Sequence, residues 1–298
     1  MGRFARARAS RSMVASVSTA LISTLVVAAC SSGGAGAPPS ATTPSATSAG
    51  SPSATSPSPV AADLTIFGAA SLSKVLEQVK TAYETANPGS ALTISTDSSA
   101  ALEMKIEEGA PADVFLSADT MNPKKLIDGG FADGDAVDFA GNELTIITPV
   151  GNPGGLTNPF DLAKSGIRVI AAQDKVPISK YAKQLVDKLA GEAGAPADFA
   201  ANYAANVLSK EENVSALRTK VELGEGDAGI VYVTDAAASD KVDTIDIPVA
   251  ANVLATYAGV VVKGSNKADS AHAFLDWLKG PEGQAILAKF GFLPPPDG

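Results

Sequence analysis

The chain has 298 residues, 45% of them hydrophobic and 18% charged, and a net charge of −9. That length accommodates one large domain or two ordinary ones. The acidic balance excludes an electrostatic footprint for nucleic acid, and a single Cys with a single His excludes both a His/Cys zinc site and an internal disulfide framework.

The chain opens on a basic stretch carrying Arg3, Arg6, Arg8 and Arg11. An uncharged, moderately apolar run follows, Met13–Ala29. It is short for a spanning helix and diluted by Ser and Thr, which is the pattern of an export signal. Residues 1–29 are therefore expected to be a lipoprotein signal peptide. The run ends in Val27-Ala28-Ala29-Cys30, which resembles a bacterial lipobox, with the only Cys of the chain where the lipidated residue belongs. Acyl chains on Cys30 contribute about 0.8 kcal/mol per buried methylene to membrane attachment. An ordinary signal peptide with an incidental Cys is the alternative. Removing the four arginines of the signal from the 23 Lys and Arg leaves 19 against 32 Asp and Glu, a mature charge of about −13. An anion site in such a protein has to work locally.

Residues 30–60 hold Cys30 and then Ser31–Val60, a stretch with no charge and six prolines. It lacks the apolar surface needed to fold and reads as a disordered tether, with a reach between roughly 30 Å as a coil and roughly 90 Å as polyproline II. The folded part is expected to be Ala61–Gly298.

From there strand and helix signals alternate. Leu64–Phe67 predicts a strand and Leu72–Ala86 a helix, stopped by Asn87-Pro88-Gly89. Ala91–Ser95 and Ala100–Glu108 form the next strand and helix, then Asp113–Leu116 and Met121–Asp128. Three βα units in a row predict a parallel sheet covered by helices. Glu143–Pro149 is a long apolar strand that opens a second series. Ile167–Ala171 and Ala228–Val233 are strands, and Lys180–Ala190, Ala197–Leu208 and Val214–Leu223 are helices. Leu254–Val262 is the last strand, followed by helices Ala268–Leu278 and Pro281–Phe290. The predicted fold class is α/β, a two-lobed clamshell in which each lobe is a mainly parallel sheet flanked by helices. Residues 61–142 plus about 250–298 make the first lobe and 143–249 the second.

Two short stretches carry the candidate site. In Thr65–Val75 and in Ser95–Gly109 an apolar strand gives way to small residues and a serine where a helix begins. Open α/β sheets bind ligands at that edge. A helix start offers unpaired N–H groups and about half a positive charge, and a serine there either caps the helix or donates its hydroxyl to an anion. Neither Ser71 nor Ser99 has Glu or Gln three residues on, so neither forms a capping box. Gly68, Ala69 and Ala70 leave room for an ion to approach the backbone. In the second series Ile178 precedes a predicted helix, and Asn213 looks like the cap of a helix beginning at Val214. The backbone N–H groups of Ile178 and Val214 are then free. Tyr232 closes the strand AGIVY with its hydroxyl.

At these residues the chain resembles the molybdate-binding proteins, the solute-binding components of molybdate ABC importers. The resemblance rests on Phe67-Gly-Ala-Ala-Ser-Leu, Ser98-Ser99, the run GAPADVFLSAD from Gly109 to Asp119, Gly141-Asn-Glu-Leu, Val176-Pro177, Tyr181-Ala-Lys183, Glu212-Asn-Val214, Gly229-Ile-Val-Tyr232 and Lys279-Gly-Pro. It implies a fold like the type II periplasmic binding proteins and an oxyanion, molybdate or tungstate, held between the lobes by Ser71, Ser99, the backbone at Ile178 and Val214, and the Tyr232 hydroxyl. Ile178-Ser179 departs from the smaller pair expected there, which bears on cavity size if the Ile178 side chain enters the cleft. The resemblance implies no enzyme activity, no catalytic residue, no cofactor and no metal cation. Its implied partners are the oxyanion, the permease of the cognate importer and the membrane through Cys30, with the protein extracytoplasmic, lipid-anchored and monomeric.

Other readings stand beside it. The same clamshell suits another oxyanion or a small organic acid. A buried Arg would favour a carboxylate, and Arg168 and Arg218 are the arginines of the folded part, neither clearly placed for it. An extracytoplasmic serine enzyme would need a base, and His272 is the only His; its place in AHAFLDWL suits a helix surface or packing. A surface lipoprotein with no small ligand would use the serines only as caps. The run Gly224–Gly229 matches the dinucleotide fingerprint in letters but precedes a strand instead of following one. Asp133-Gly-Asp135 lacks the later ligands of a calcium loop. Asp97 and Glu212 oppose an anion unless they point away.

Overall fold

The computed structural model describes residues 61–296; the expected export signal, Cys30 and the expected tether lie outside them. Two five-stranded sheets make up the fold. The chain runs through β1 (Asp63–Ala69), a 3-10 turn Ala70–Leu72, α1 (Ser73–Ala86), β2 (Ala91–Asp97), α2 (Ser99–Glu107), β3 (Val114–Ser117), α3 (Met121–Asp128) and β4 (Ala132–Asn142). It then crosses to β5 (Leu144–Pro149), β6 (Val169–Ala172), α4 (Pro177–Ala190), α5 (Phe199–Ala205), β7 (Val207–Glu211), α6 (Val214–Glu222), β8 (Ala228–Tyr232), α7 (Val233–Ala237) and β9 (Val242–Ile245). It returns through β10 (Ala255–Val262) and ends on α8 (Ala268–Lys279) and α9 (Pro281–Lys289).

The first sheet has the order β2-β1-β3-β10-β4 and the second β7-β6-β8-β5-β9. In the first, β1 lies parallel to β2 and β3, and β10 antiparallel to β3 and β4. In the second, β6 lies parallel to β7 and β8, and β5 antiparallel to β8 and β9. Each sheet is thus mixed, not mainly parallel. The parallel half of each contains the βα units legible in the sequence, and the antiparallel half contains the strands on which the chain passes between the sheets.

Helix spacing explains the packing. In α1 the buried residues Val75, Leu76, Val79 and Tyr83 recur at the intervals of one helical face. They join the principal core with Leu64, Ile66 and Leu116. A smaller cluster, with Phe67, Leu102, Ile106, Phe115, Leu126 and Val260, fills a separate region of the first sheet with α2 and α3. Gly68 serves this packing: a Cβ there would collide with the Leu76 side chain. Its smallness admits α1, not an ion, so the expectation for Gly68 is corrected while Ala69 and Ala70 keep the role of small cleft residues.

Several boundaries differ from expectation. The helix after β6 begins at Pro177, not Lys180, because proline suits the first helical position. The helix expected over 197–208 stops at Ala205, and Val207–Glu211 is strand β7. Strands β4 and β9 and helix α7 were not legible in the sequence. Among the described residues no helix is long and apolar enough to cross a membrane.

Candidate functional site

The carboxyl ends of parallel strands from both sheets face one another, and small residues from each converge on one cavity. The turn after β1 brings Ala69, Ala70 and Ser71; the start of α2 brings Ser98 and Ser99; Ala118 follows β3. From the other side come Val176, Pro177 and Ile178 at the start of α4, Val214 at the start of α6 and Tyr232 at the end of β8. All five positions singled out in the sequence, Ser71, Ser99, Ile178, Val214 and Tyr232, line this space. In this closed arrangement its free volume is only about 10 Å3, room for about one water-sized sphere and far below the roughly 300–1,000 Å3 of pockets for larger organic ligands. No charged side chain lines it.

The two halves are closed on one another. Ser71 is 8% exposed, Ser99 and Tyr232 each 1%. Asn213 Nδ2 donates to Asp97 Oδ1 across the cleft at 3.4 Å, and Ser215 Oγ donates to the Ala70 carbonyl at 3.3 Å.

The serines are not helix caps. Ser71 sits within the turn ahead of α1, and neither Leu72 nor Ser98, the residues at the cap positions of α1 and α2, makes a side-chain cap. Instead, hydroxyl oxygens accept from elsewhere in the protein. Tyr257 Oη donates to Ser71 Oγ at 2.9 Å, and the Ala118 N–H donates to Ser99 Oγ at 3.1 Å. An oxygen already accepting keeps its own proton to give away, and the space beside both serines is the cavity. Ser98 Oγ and Tyr232 Oη are buried with no hydrogen-bond partner within the protein. A buried donor left unmet costs about 1–3 kcal/mol, so two of them beside one cavity mark a place built for an acceptor. Burial first, then the neighbouring Tyr257, Tyr181 and acidic groups, pushes the Tyr232 hydroxyl well above its ordinary pKa, so it keeps its proton.

The second half of the cavity is mainly backbone. Asn213 caps α6 by accepting from the Ala216 N–H at 2.9 Å, which leaves the Val214 N–H at the first helical position outside the cap. Ser179 Oγ donates to the Ala172 carbonyl at 2.8 Å, which ties the start of α4 to the end of β6 and spends that hydroxyl. Val176 makes no side-chain cap for α4, so Ile178, at the second position, lies among the orphan N–H groups of a helix start. Ile178 is buried and belongs to the principal core.

The acids beside the site are engaged elsewhere. Asp97 accepts from the Ser98 N–H at 2.8 Å and from Lys105 at 3.0 Å. Burial pushes its carboxyl up, but these hydrogen bonds, the Lys105 charge and Asn213 outweigh it and hold the pKa below the usual value. Glu212 is exposed. The two acids of GAPADVFLSAD are structural: Asp113 accepts from the Thr65 N–H, Ser265 and Lys267, and Asp119 from Ser117 and Asn122. That motif holds β3 in place and so delivers the Ala118 N–H to Ser99.

Other candidates lie apart from the cavity. Arg168 pairs with Asp227 at 2.7 Å on the surface. Arg218 pairs with Glu222 at 3.0 Å and lines a neighbouring cavity with Ser71 and Asp235. His272 is half exposed on α8, 3.7 Å from Asp133, so no histidine stands beside either serine. In the run Gly224–Gly229, Gly224 turns the chain with φ +73°, while a Cβ at Gly229 would meet Leu217 at 2.7 Å, so Gly229 lets α6 pack on β8. Among the described residues no cluster of His, Cys, Asp and Glu could hold a metal ion. Sequence reasoning missed three site residues. Ser98 was visible only as the neighbour of Ser99, Asn142 only as part of Gly141-Asn-Glu-Leu, and Tyr257, inside an apolar strand, gave no signal.

A two-lobed α/β fold closed over a small polar cleft between the ends of its parallel strands defines a solute-binding protein. The chain belongs to the bacterial extracellular solute-binding protein family, which it matches over residues 64–293. It is 31% identical over 236 residues to the molybdate-binding protein ModA of Mycobacterium tuberculosis, covering 79% of this chain and 86% of the relative. To the ModA of Escherichia coli it is 32% identical over 242 residues, 77% of this chain and 88% of the relative. Among solved structures it is similar to the periplasmic molybdate-binding protein of Azotobacter vinelandii, with a TM-score of 0.67, 26% identity, and coverage of 78% of this chain and 99% of that one.

Proposed function

We propose that the protein captures molybdate, and with it tungstate, between its lobes and hands the ion to the permease of an ABC importer. The observation that carries this reading is the pair of buried, unpartnered hydroxyls, Ser98 Oγ and Tyr232 Oη, on a small cavity lined by no charged side chain. The binding residues are Ser71 and Ser99 through their hydroxyls, Ile178 and Val214 through backbone N–H, and Tyr232 through its hydroxyl, with the unpartnered Ser98 hydroxyl as a further donor beside them. No cofactor, cation or catalytic residue takes part, and the protein acts as a monomeric receptor, not an enzyme. Residues 61–142 and about 250–298 form one lobe and 143–249 the other. After removal of residues 1–29, lipidated Cys30 holds the protein on the outer side of the cell membrane, with residues 30–60 as the tether. The relatives named above support the choice of ion.

The chemistry favours such an ion. A hydrogen bond to a charged group contributes roughly 1.5–3 kcal/mol, and about 8 kcal/mol corresponds to micromolar affinity. Several donors therefore hold a dianion without a positive side chain. Molybdate is fully deprotonated at neutral pH and asks only for donors; hydrogen phosphate brings a proton that needs an acceptor, and no carboxylate lines the cavity to supply one. Sulfate meets the same donors but is smaller, so its rejection depends on cavity size. A thermal-shift series tests the reading: molybdate at about 100 times its dissociation constant adds roughly 2.7 kcal/mol of stability, which sulfate at equal concentration does not. Equal shifts from both ions contradict it.

A further inference from the structure

The hydroxyl of Ser71 is the end of a chain of hydrogen bonds that starts at the crossing between the two lobes. Asn142, the last residue of β4, is fully buried. Its Nδ2 donates to Thr234 Oγ1 on α7 at 2.8 Å and to Tyr257 Oη on β10 at 3.4 Å. Tyr257 Oη in turn donates to Ser71 Oγ at 2.9 Å. With the amide nitrogen turned to both hydroxyls, Asn142 Oδ1 is left buried without a partner; in this orientation the amide only donates, and that sets the direction of the chain. Tyr257 receives from Asn142 and must give its own proton to Ser71. Ser71 cannot return a proton to Tyr257 and turns it to the cavity. Burial, the first cause, with the nearby Asp235 charge, pushes the Tyr257 hydroxyl well above its ordinary pKa, so the link is not lost by ionisation.

We propose that Tyr257 and Asn142 are positioning residues that lock Ser71 as a donor and thereby weight the cleft toward fully deprotonated over protonated oxyanions at that contact. A free serine hydroxyl adapts to either kind of ion, since it donates or accepts by rotation. For hydrogen phosphate, Ser71 would have to accept the ligand's proton and send its own elsewhere, and the place it would go is occupied by the proton of Tyr257. Ser99 is held in the same sense by the backbone, through the Ala118 N–H, and no side-chain substitution undoes that. The lock on Ser71 is made of side chains and is therefore testable. It also reaches from β4 and β10 in the first sheet to α7, which follows β8 of the second, so the polarity at Ser71 is tied to the junction of the two lobes.

This inference rests on the reading of the cleft as an oxyanion site, and the experiment separates the two. Wild type and Tyr257→Phe are titrated with molybdate, and phosphate is then titrated as a competitor. The ring of Tyr257 packs edge-on against Phe139, Tyr232 and Phe292, and phenylalanine keeps those contacts. The expected result is that Tyr257→Phe still binds molybdate, about tenfold more weakly, while phosphate competes at least about tenfold better relative to molybdate than in wild type. Asn142→Leu removes the fixed donor by another route and is expected to shift the same ratio in the same direction, which covers the case in which one variant folds poorly. A molybdate-to-phosphate ratio within about threefold of wild type in the folded variants overturns the inference while leaving the receptor reading intact. Failure of the wild type to bind molybdate overturns both.

Discussion

The two halves of the cleft reach the same end by different means. The first lobe offers side-chain hydroxyls, Ser71, Ser98 and Ser99, two of them oriented by a donor behind each. The second offers N–H groups of helix starts at Ile178 and Val214, together with the Tyr232 hydroxyl at the end of β8. A hydroxyl disappears on a single substitution, whereas an N–H survives almost any. The first half should therefore be sensitive to sequence change and the second tolerant of it. At Ile178-Ser179 the Ser179 hydroxyl is spent on the Ala172 carbonyl, and Ile178 is part of the core as well as of the cavity lining.

The contrast is broken or sharpened by substitution. The largest expected effect is in the hydroxyl set. Ser71→Ala and Ser99→Ala should each weaken molybdate binding by roughly 10- to 100-fold, the worth of one hydrogen bond to a charged group, measured by titration. Tyr232→Phe should weaken binding by about as much yet leave the ligand-free protein as stable or more stable, because it removes a buried hydroxyl without a partner. A parallel fall in melting temperature would show that the hydroxyl has a structural bond instead.

Ile178→Ala should do the reverse. Loss of a buried branched side chain costs about 2–5 kcal/mol of stability, read by denaturant unfolding, while molybdate affinity stays within about threefold. A large loss of affinity would show that the side chain shapes the cavity.

A smaller effect is expected from pH. Asp235 is fully buried, with Oδ2 unpartnered, and burial, offset only in part by Arg218, raises its carboxyl from 3.8 to about 7. The native state then holds this proton over a range in which the unfolded chain has lost it, so stability should fall as pH rises from about 4 to about 7. Asp235→Asn should flatten that slope in unfolding experiments across the same range. The smallest effect is expected at His272, which is half exposed and paired with Asp133. His272→Ala should leave binding unchanged, and a loss of binding would reopen the case for a base near the serines.

What the sequence disclosed follows the same physical line. The interior strands β1, β3, β6, β8, β5 and β10 were legible because burial on both sides makes them apolar runs. The missed strands β4, β7 and β9 are all sheet edges. Val207–Glu211 alternates half-buried and exposed residues, and Ala132–Asn142 is mostly polar or small until Phe139; pairing on one side asks little of composition. The edge strand β2 was found only because ALTIS alternates cleanly. At the site, the residues that touch the cavity carried a local signature, a serine or a cap at a strand-to-helix turn. Tyr257 and Asn142 carried none, since their partners are 186 and 92 or more residues away in sequence, and a hydrogen-bond chain of that reach exists only once the chain is folded.

The most direct test is isothermal titration of the protein with molybdate, sulfate and phosphate in turn. The account predicts saturable one-to-one binding of molybdate at micromolar affinity or better, weak heat from sulfate and none from phosphate. No heat from molybdate, or sulfate binding as tightly, would contradict the claim that this cleft is a site of neutral hydrogen-bond donors that selects molybdate.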